Sequence, residues 1–131
     1  MGRLGVDLIA GTGDRTGFVE LLERTWQERQ PIIALDNAFH RRSFEALPAG
    51  GLEGRTRAML KIEDGCVNFC SYCIIPYARG RVRSKALEDI RQEVAQLGQA
   101  GYKEVVLTGI NLPAYGKELG LHLCDAVDGR L

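Results

Sequence analysis

Apolar positions along the chain change period several times, and each change marks a predicted element. Val6 to Ala10 is a short apolar run with β-branched residues and predicts a strand. A turn, GTGDRTG, fills Gly11 to Gly17, after which Phe18, Leu21, Leu22 and Trp26 recur at helical spacing. A helix is expected from about Gly17 to Arg29, capped by Asp14 or Thr16 and stopped by Pro31. Between Pro31 and Gly54 no period is sustained, and Pro31, Pro48, Gly50, Gly51 and Gly54 punctuate the segment. It reads as a linker with a short strand at Ile32 to Leu35. From Thr56 to Ile62 the pattern alternates, with Ala58, Leu60 and Ile62 set against Arg57, Met59 and Lys61. That is the signature of a strand.

Helical spacing returns with Leu87, Ile90, Val94 and Leu97 as the buried stripe. Ser84 is the expected cap, Glu88 and Asp89 suit the first turn, and Gly101 is placed to end the helix. Glu104 to Leu107, EVVL, then predicts a buried strand running into Thr108-Gly109. Strand, helix and strand form a β–α–β unit, which implies parallel strands. Asn111 to Leu131 carries Pro113, Gly116 and Gly120 before LHLCDAV, and reads as a loop followed by the start of a helix.

Composition narrows the class without naming a partner. The chain has 131 residues, with 45% hydrophobic and 26% charged, as in an ordinary soluble domain. Lys+Arg and Asp+Glu number 17 each, so only local charge is informative. No apolar run approaches the ~20 residues of a membrane span. The N-terminus lacks the pattern of a signal peptide. A cytoplasmic protein with reduced cysteines and no membrane partner is expected, in preference to two disulfides.

Two features invite a functional reading and have simpler ones. The spacing G-x-G-x-x-x-G at Gly11 to Gly17 is neither the dinucleotide fingerprint nor a P-loop, so a tight β–α connection is favoured over phosphate binding. His40, Arg41 and Arg42 form a small basic cluster that reads as a solvated turn rather than a nucleic-acid contact.

The chemistry concentrates between Glu63 and Ser84, EDGCVNFCSYCIIPYARGRVRS. Three of the four cysteines, Cys66, Cys70 and Cys73, stand there in C-x-x-x-C-x-x-C spacing. A single loop can turn three thiolates toward one centre. Structural zinc usually takes four ligands from paired C-x-x-C units, and there is no second pair. Three cysteines with one open position suit a 4Fe–4S cluster whose fourth iron takes an outside ligand. The alternative is a non-catalytic zinc module, with Cys124 or His122 as fourth ligand and the neighbouring arginines touching RNA. His122 and Cys124, two residues apart in an apolar run, are otherwise packing residues. Arg79, Arg81, Arg83 and Lys85 form a run without an acid, either a solvated face or an anion-binding segment.

The run RTRAMLKIEDGCVNFCSYCIIPYARGRVRS, then LEDI, then GYKEVVLTGINLPAYGKEL, resembles the radical S-adenosylmethionine (SAM) core of the tRNA methylthiotransferases. Within that family it is most similar to those acting on threonylcarbamoyladenosine, over about Arg55 to Leu119. The resemblance implies an α/β fold: the first β/α units of a radical-SAM TIM-type barrel, preceded by the last strand and helix of an α/β N-terminal domain. On that reading residues 1–30 end the N-terminal domain, 31–54 are linker and 55–131 begin the core. A closed barrel needs about 200 residues or more. A fragment or truncated gene product, inactive alone, is therefore expected.

The resemblance also implies the site. Cys66, Cys70 and Cys73 would ligate a 4Fe–4S cluster, and SAM would bind the open iron. Its cleavage would give a radical that removes hydrogen from C2 of a modified adenine in tRNA, where a methylthio group replaces it. An electron-donor protein would be a further partner. Tyr72, Thr108 and Gly109 are the candidate SAM contacts, with Tyr72 facing the adenine or packing in the loop. Phe69 would shield the cluster, and Asn68 would cap a turn. Arg79, Arg81, Arg83 and Lys85 become candidate RNA contacts. One residue departs from the pattern: after LTGI the threonylcarbamoyladenosine enzymes usually have histidine, whereas this chain has Asn111. Relatives that modify isopentenyladenosine tend to carry asparagine there, which leaves that nucleoside as the alternative substrate.

Overall fold

The structure is a computed structural model, described here for residues 5–13, 15–47 and 54–128. Asp14 and the linker residues Pro48, Gly50 and Gly51 lie outside the described residues. The α/β class holds, in the form of two small parallel pairs and one short antiparallel pair.

The first unit is β1 (Leu8–Ala10), α1 (Phe18–Glu28) and β2 (Ile32–Ala34). β1 and β2 pair in parallel, with Leu8 opposite Ile32 and Ala10 opposite Ala34. β2 lies where a short strand is expected from the sequence, at Ile32 to Leu35. A strand of three residues is too short for its period to stand out locally, and its partner strand decides where it belongs.

Thr16 does not cap α1. The N-cap is Gly17, which makes no side-chain hydrogen bond. The turn that leads into the helix is held from a distance. Glu45, in the linker, accepts from the backbone N–H of Arg15 and, at 2.7 Å, from Arg15 Nε. A carboxylate there also suits the helix dipole. At the other end Arg29 takes a left-handed φ of 49° and its N–H closes on Thr25 O, just before Pro31. Apart from the half-buried Leu21, the apolar positions of α1 stay in the open, with Trp26 86% exposed.

The second unit carries the core. β3 (Arg57–Lys61) pairs in parallel with β6 (Glu104–Thr108), with Ala58 opposite Val105 and Leu60 opposite Leu107. α3 (Leu87–Gln99) is the crossover. Ile90 and Leu97 are buried on it as the stripe requires, and Gly101 follows with a φ of 93°. Leu60, Ile62, Ile90 and Tyr115 form the buried cluster, and Val94, Val105, Leu107 and Leu112 pack around it. Full burial of side chains of this size stabilises by about 1.5–3 kcal/mol each. After β6 come tight turns at Leu112–Ala114 and Lys117–Leu119, then α4 (Leu123–Val127).

Ser84 does not cap α3. The N-cap is Ala86. Ser84 belongs to β5 (Arg83–Ser84), which pairs antiparallel with β4 (Glu63–Asp64), and its hydroxyl accepts from Gly116 N–H at 2.8 Å. Tertiary pairing has recruited a residue that local sequence assigns to a cap.

The two units meet at the cysteine segment. The turn Ala38–His40 lies against α2 (Ile75–Arg79), and Thr12 Oγ1 donates to Ala78 O at 2.8 Å. Gly80 sits so close that a Cβ would fall 2.0 Å from Ala38 O, at a φ of 80° that already favours glycine. Arg41 is no solvated turn residue. Its guanidinium forks onto Asp36, donates to Thr12 Oγ1 at 2.8 Å, and fills the space above Gly13. The glycines of the GTG turn make room for that side chain.

Candidate iron–sulfur site

β3 continues past Lys61 into Ile62, whose N–H donates to Thr108 O at 2.9 Å, and then into β4. The chain leaves β4 through Gly65, where a φ of 98° and a clearance of 2.1 Å from a Cβ position to Arg81 O admit only glycine. Cys66 follows at once, and its N–H donates to Gly80 O at 3.0 Å. The start of the cysteine loop is thereby tied to the backbone at Gly80, just after α2. Cys73 N–H donates to Cys70 O at 2.9 Å, which folds the C-x-x-C half into a tight turn. Phe69 carries a left-handed φ of 48° at the bend.

All four cysteines are free thiols, with Cys66 and Cys73 half-buried and Cys70 and Cys124 exposed. Because β3 and β6 are parallel, the cysteine loop and the loop after Thr108 leave the sheet at the same end. The two loops touch: Asn111 Nδ2 donates to Cys66 Sγ at 3.9 Å. Among the described residues no three His, Cys, Asp or Glu side chains converge on a single-ion site, His122 and Cys124 included. A 4Fe–4S cluster takes each thiolate on a different iron of one cube, so three thiolates of a single loop can reach it together. Three free thiols on one loop are a donor set that fits such a cluster.

Two acids that the sequence patterns do not single out stand directly before the loop. Glu63 is fully buried, and its Oε2 accepts from Asn111 N–H at 2.7 Å. Burial pushes its carboxyl above the usual carboxylate range, against the backbone N–H groups of Asn111 and Ile110. Asp64 is 6% exposed and sits among cations, with Lys61 Nζ at 2.7 Å and Arg79 and Arg83 each at 3.5 Å. Burial raises its pKa, yet the hydrogen bond and charge of Lys61, followed by Arg79 and Arg83, outweigh that and hold it low. Their signal in the sequence is a charged pair that continues a buried strand, with a run of cations after the loop to answer it.

The cationic run divides. Arg83 is 5% exposed, donates to Arg79 O and Arg81 O at 2.9 and 2.7 Å, and faces Asp64. Lys85 is 3% exposed and pairs with Glu93 on α3. Burial lowers the pKa of both. Neither offers its charge to a surface ligand, so the RNA-contact reading contracts to Arg79, which is half-buried, and Arg81, which is exposed. Alternation placed Arg79, Arg81, Arg83 and Lys85 together, but Arg83 lies in β5 and is turned inward by its pairing with β4.

Tyr72 is 91% exposed beside Cys73, without loop packing. Thr108 turns its hydroxyl back onto Leu60 O at 3.4 Å, while Gly109 is exposed above Glu63. Phe69 does pack: it stacks on Phe39 at 6.2 Å and meets Tyr77 edge-on at 5.7 Å. Phe39, from the linker, makes that wall half non-local.

Fold and site together define an α/β protein with a three-thiol loop at the C-terminal edge of a parallel pair. The sequence pattern of the radical SAM superfamily matches residues 60–126, and the chain belongs to that superfamily. It is 45% identical to the threonylcarbamoyladenosine tRNA methylthiotransferase MtaB of Bacillus subtilis, over 88% of this chain and 26% of that protein. The MtaB of Thermotoga maritima is 39% identical over 93% of this chain and 27% of its own length. The tRNA-2-methylthio-N(6)-dimethylallyladenosine synthase of Clostridium tetani is 42% identical over 87% and 25%. The chain thus spans about a quarter of the length of these curated relatives. No helix among the described residues is long and apolar enough to cross a membrane.

Proposed function

We propose that this chain is the cluster-bearing part of a cytoplasmic radical-SAM tRNA methylthiotransferase acting at C2 of N6-threonylcarbamoyladenosine. The observation that carries the reading is the meeting of the Cys66 loop with the loop after Thr108 at one end of the parallel pair. Reactive groups of α/β barrels gather on loops at that end. Cys66, Cys70 and Cys73 would hold a 4Fe–4S cluster, which supplies the electron that opens S-adenosylmethionine. Tyr72, exposed beside Cys73, is available to cover the adenine of that ligand, and Gly109 leaves open backbone for it to approach. Phe39, Phe69 and Tyr77 line one side of the loop as a cluster of packed rings. Arg79 and Arg81 face the tRNA, and one of them would pair with the carboxylate of the threonyl group.

The second nucleoside, dimethylallyladenosine, stays the alternative because relatives with both names match at similar identity. A swap separates them. The segment is placed in the full-length Bacillus subtilis relative, the product is expressed in cells lacking that enzyme, and tRNA nucleosides are analysed by mass spectrometry. A methylthio group on threonylcarbamoyladenosine is expected. Methylthiolation of dimethylallyladenosine alone refutes the substrate assignment, and no product from a cluster-loaded chimera refutes the activity.

A further inference from the structure

Resting on that reading of the cysteine loop, Asn111 acquires a role different from substrate choice. Its side chain points toward Cys66, with Nδ2 donating to Sγ at 3.9 Å. Its backbone is held from the other side by Glu63 Oε2 at 2.7 Å. That carboxylate lies beneath the turn: a Cβ at Gly109 would come within 2.6 Å of it, and Ile110 N–H also points to it. Glu63 is 0% exposed and rides on β4, directly after the buried end of β3. The residue is thus fixed by β4 as well as by its own loop, where its carbonyl accepts from Ala114 N–H at 2.7 Å.

An N–H group aimed at a ligating thiolate withdraws electron density from sulfur. The reduced cluster carries one more electron than the oxidised one, so it gains more from the contact. We propose that Asn111 raises the reduction potential of the cluster held by this loop through its hydrogen bond to Cys66.

The test uses the full 131-residue chain, reconstituted anaerobically with iron and sulfide and titrated with dithionite and mediators under electron paramagnetic resonance. The parent should hold about four irons. Asn111→Ala should keep that iron, while its reduced-to-oxidised ratio at the parent's midpoint falls by up to about tenfold, or ~59 mV for one electron. Asn111→Asp, of the same shape but without the donor and with added charge, should fall further. An unchanged midpoint in both variants at full iron overturns the proposal. Loss of iron in both variants also overturns it and makes Asn111 an assembly residue. A parent that takes up no iron overturns the cluster reading beneath it.

Discussion

Replacing Asp64 by Asn removes one charge and almost no volume, at the joint between the sheet and the cysteine loop. Asp64 faces three cations of unequal burial. Lys61 and Arg79 have side chains 32% exposed, so solvent screens them and each pair contributes about 0–1 kcal/mol. Arg83 is different, because it and Asp64 are both enclosed, at 5% and 8% side-chain exposure. Removing one partner of an enclosed pair leaves an uncompensated charge and costs about 3–5 kcal/mol. The separation of 3.5 Å and the two carbonyls that still accept from Arg83 put the cost at the low end, about 3 kcal/mol. That is a large part of the 5–15 kcal/mol typical of a domain. Urea unfolding at neutral pH, followed by circular dichroism, measures it. A cycle with Arg83→Met isolates the pair, and a coupling above about 1 kcal/mol is expected for groups in one buried network. A loss under 1 kcal/mol for Asp64→Asn, or a coupling near zero, would show that Arg83 is held by its carbonyl contacts alone.

Alanine at Cys66, Cys70 or Cys73 should abolish iron uptake, whereas Cys124→Ala should leave it intact; equal loss with Cys124→Ala refutes the ligand set. Within the full-length chimera, Arg79→Ala and Arg81→Ala should each flatten the salt dependence of tRNA binding by about 0.7 in log–log slope. Arg83→Ala and Lys85→Ala should lower stability and leave that slope alone. Burial pushes the Glu45 carboxyl up, but its bonds to the Arg15 side chain and to the Arg15 and Thr16 backbone hold it below the ordinary glutamate value. Its stabilising contribution is therefore complete above the unfolded pKa near 4.5 and lost as pH falls through the lower folded value. Glu45→Gln should remove that part of the acid sensitivity, and an unchanged acid midpoint would refute it.

By itself the sequence determined the parts whose information is local. The alternation at Ala58, Leu60 and Ile62 and the stripe of Leu87, Ile90, Val94 and Leu97 record which faces are buried, because side chains two apart in a strand, or three or four apart in a helix, share a face. The same holds for the cysteine loop, whose three thiols are neighbours in the chain and whose resemblance led to the superfamily that residues 60–126 match. Tertiary structure decided what depends on residues far apart. Ser84 obeys every local rule for a cap and serves β5 instead, with its hydroxyl on Gly116. Glu45 accepts from the backbone of Arg15, thirty residues earlier and just ahead of α1, and Phe39 crosses from the linker to stack on Phe69. Tyr115 stands in a stretch rich in proline and glycine, yet it is 1% exposed and donates to Lys85 O at 2.9 Å. Arg83 and Lys85 read as surface cations until β4 and α3 bring Asp64 and Glu93 to meet them. A charged side chain can be buried only where a partner arrives, and for these residues the partner comes from an element that no local pattern reveals.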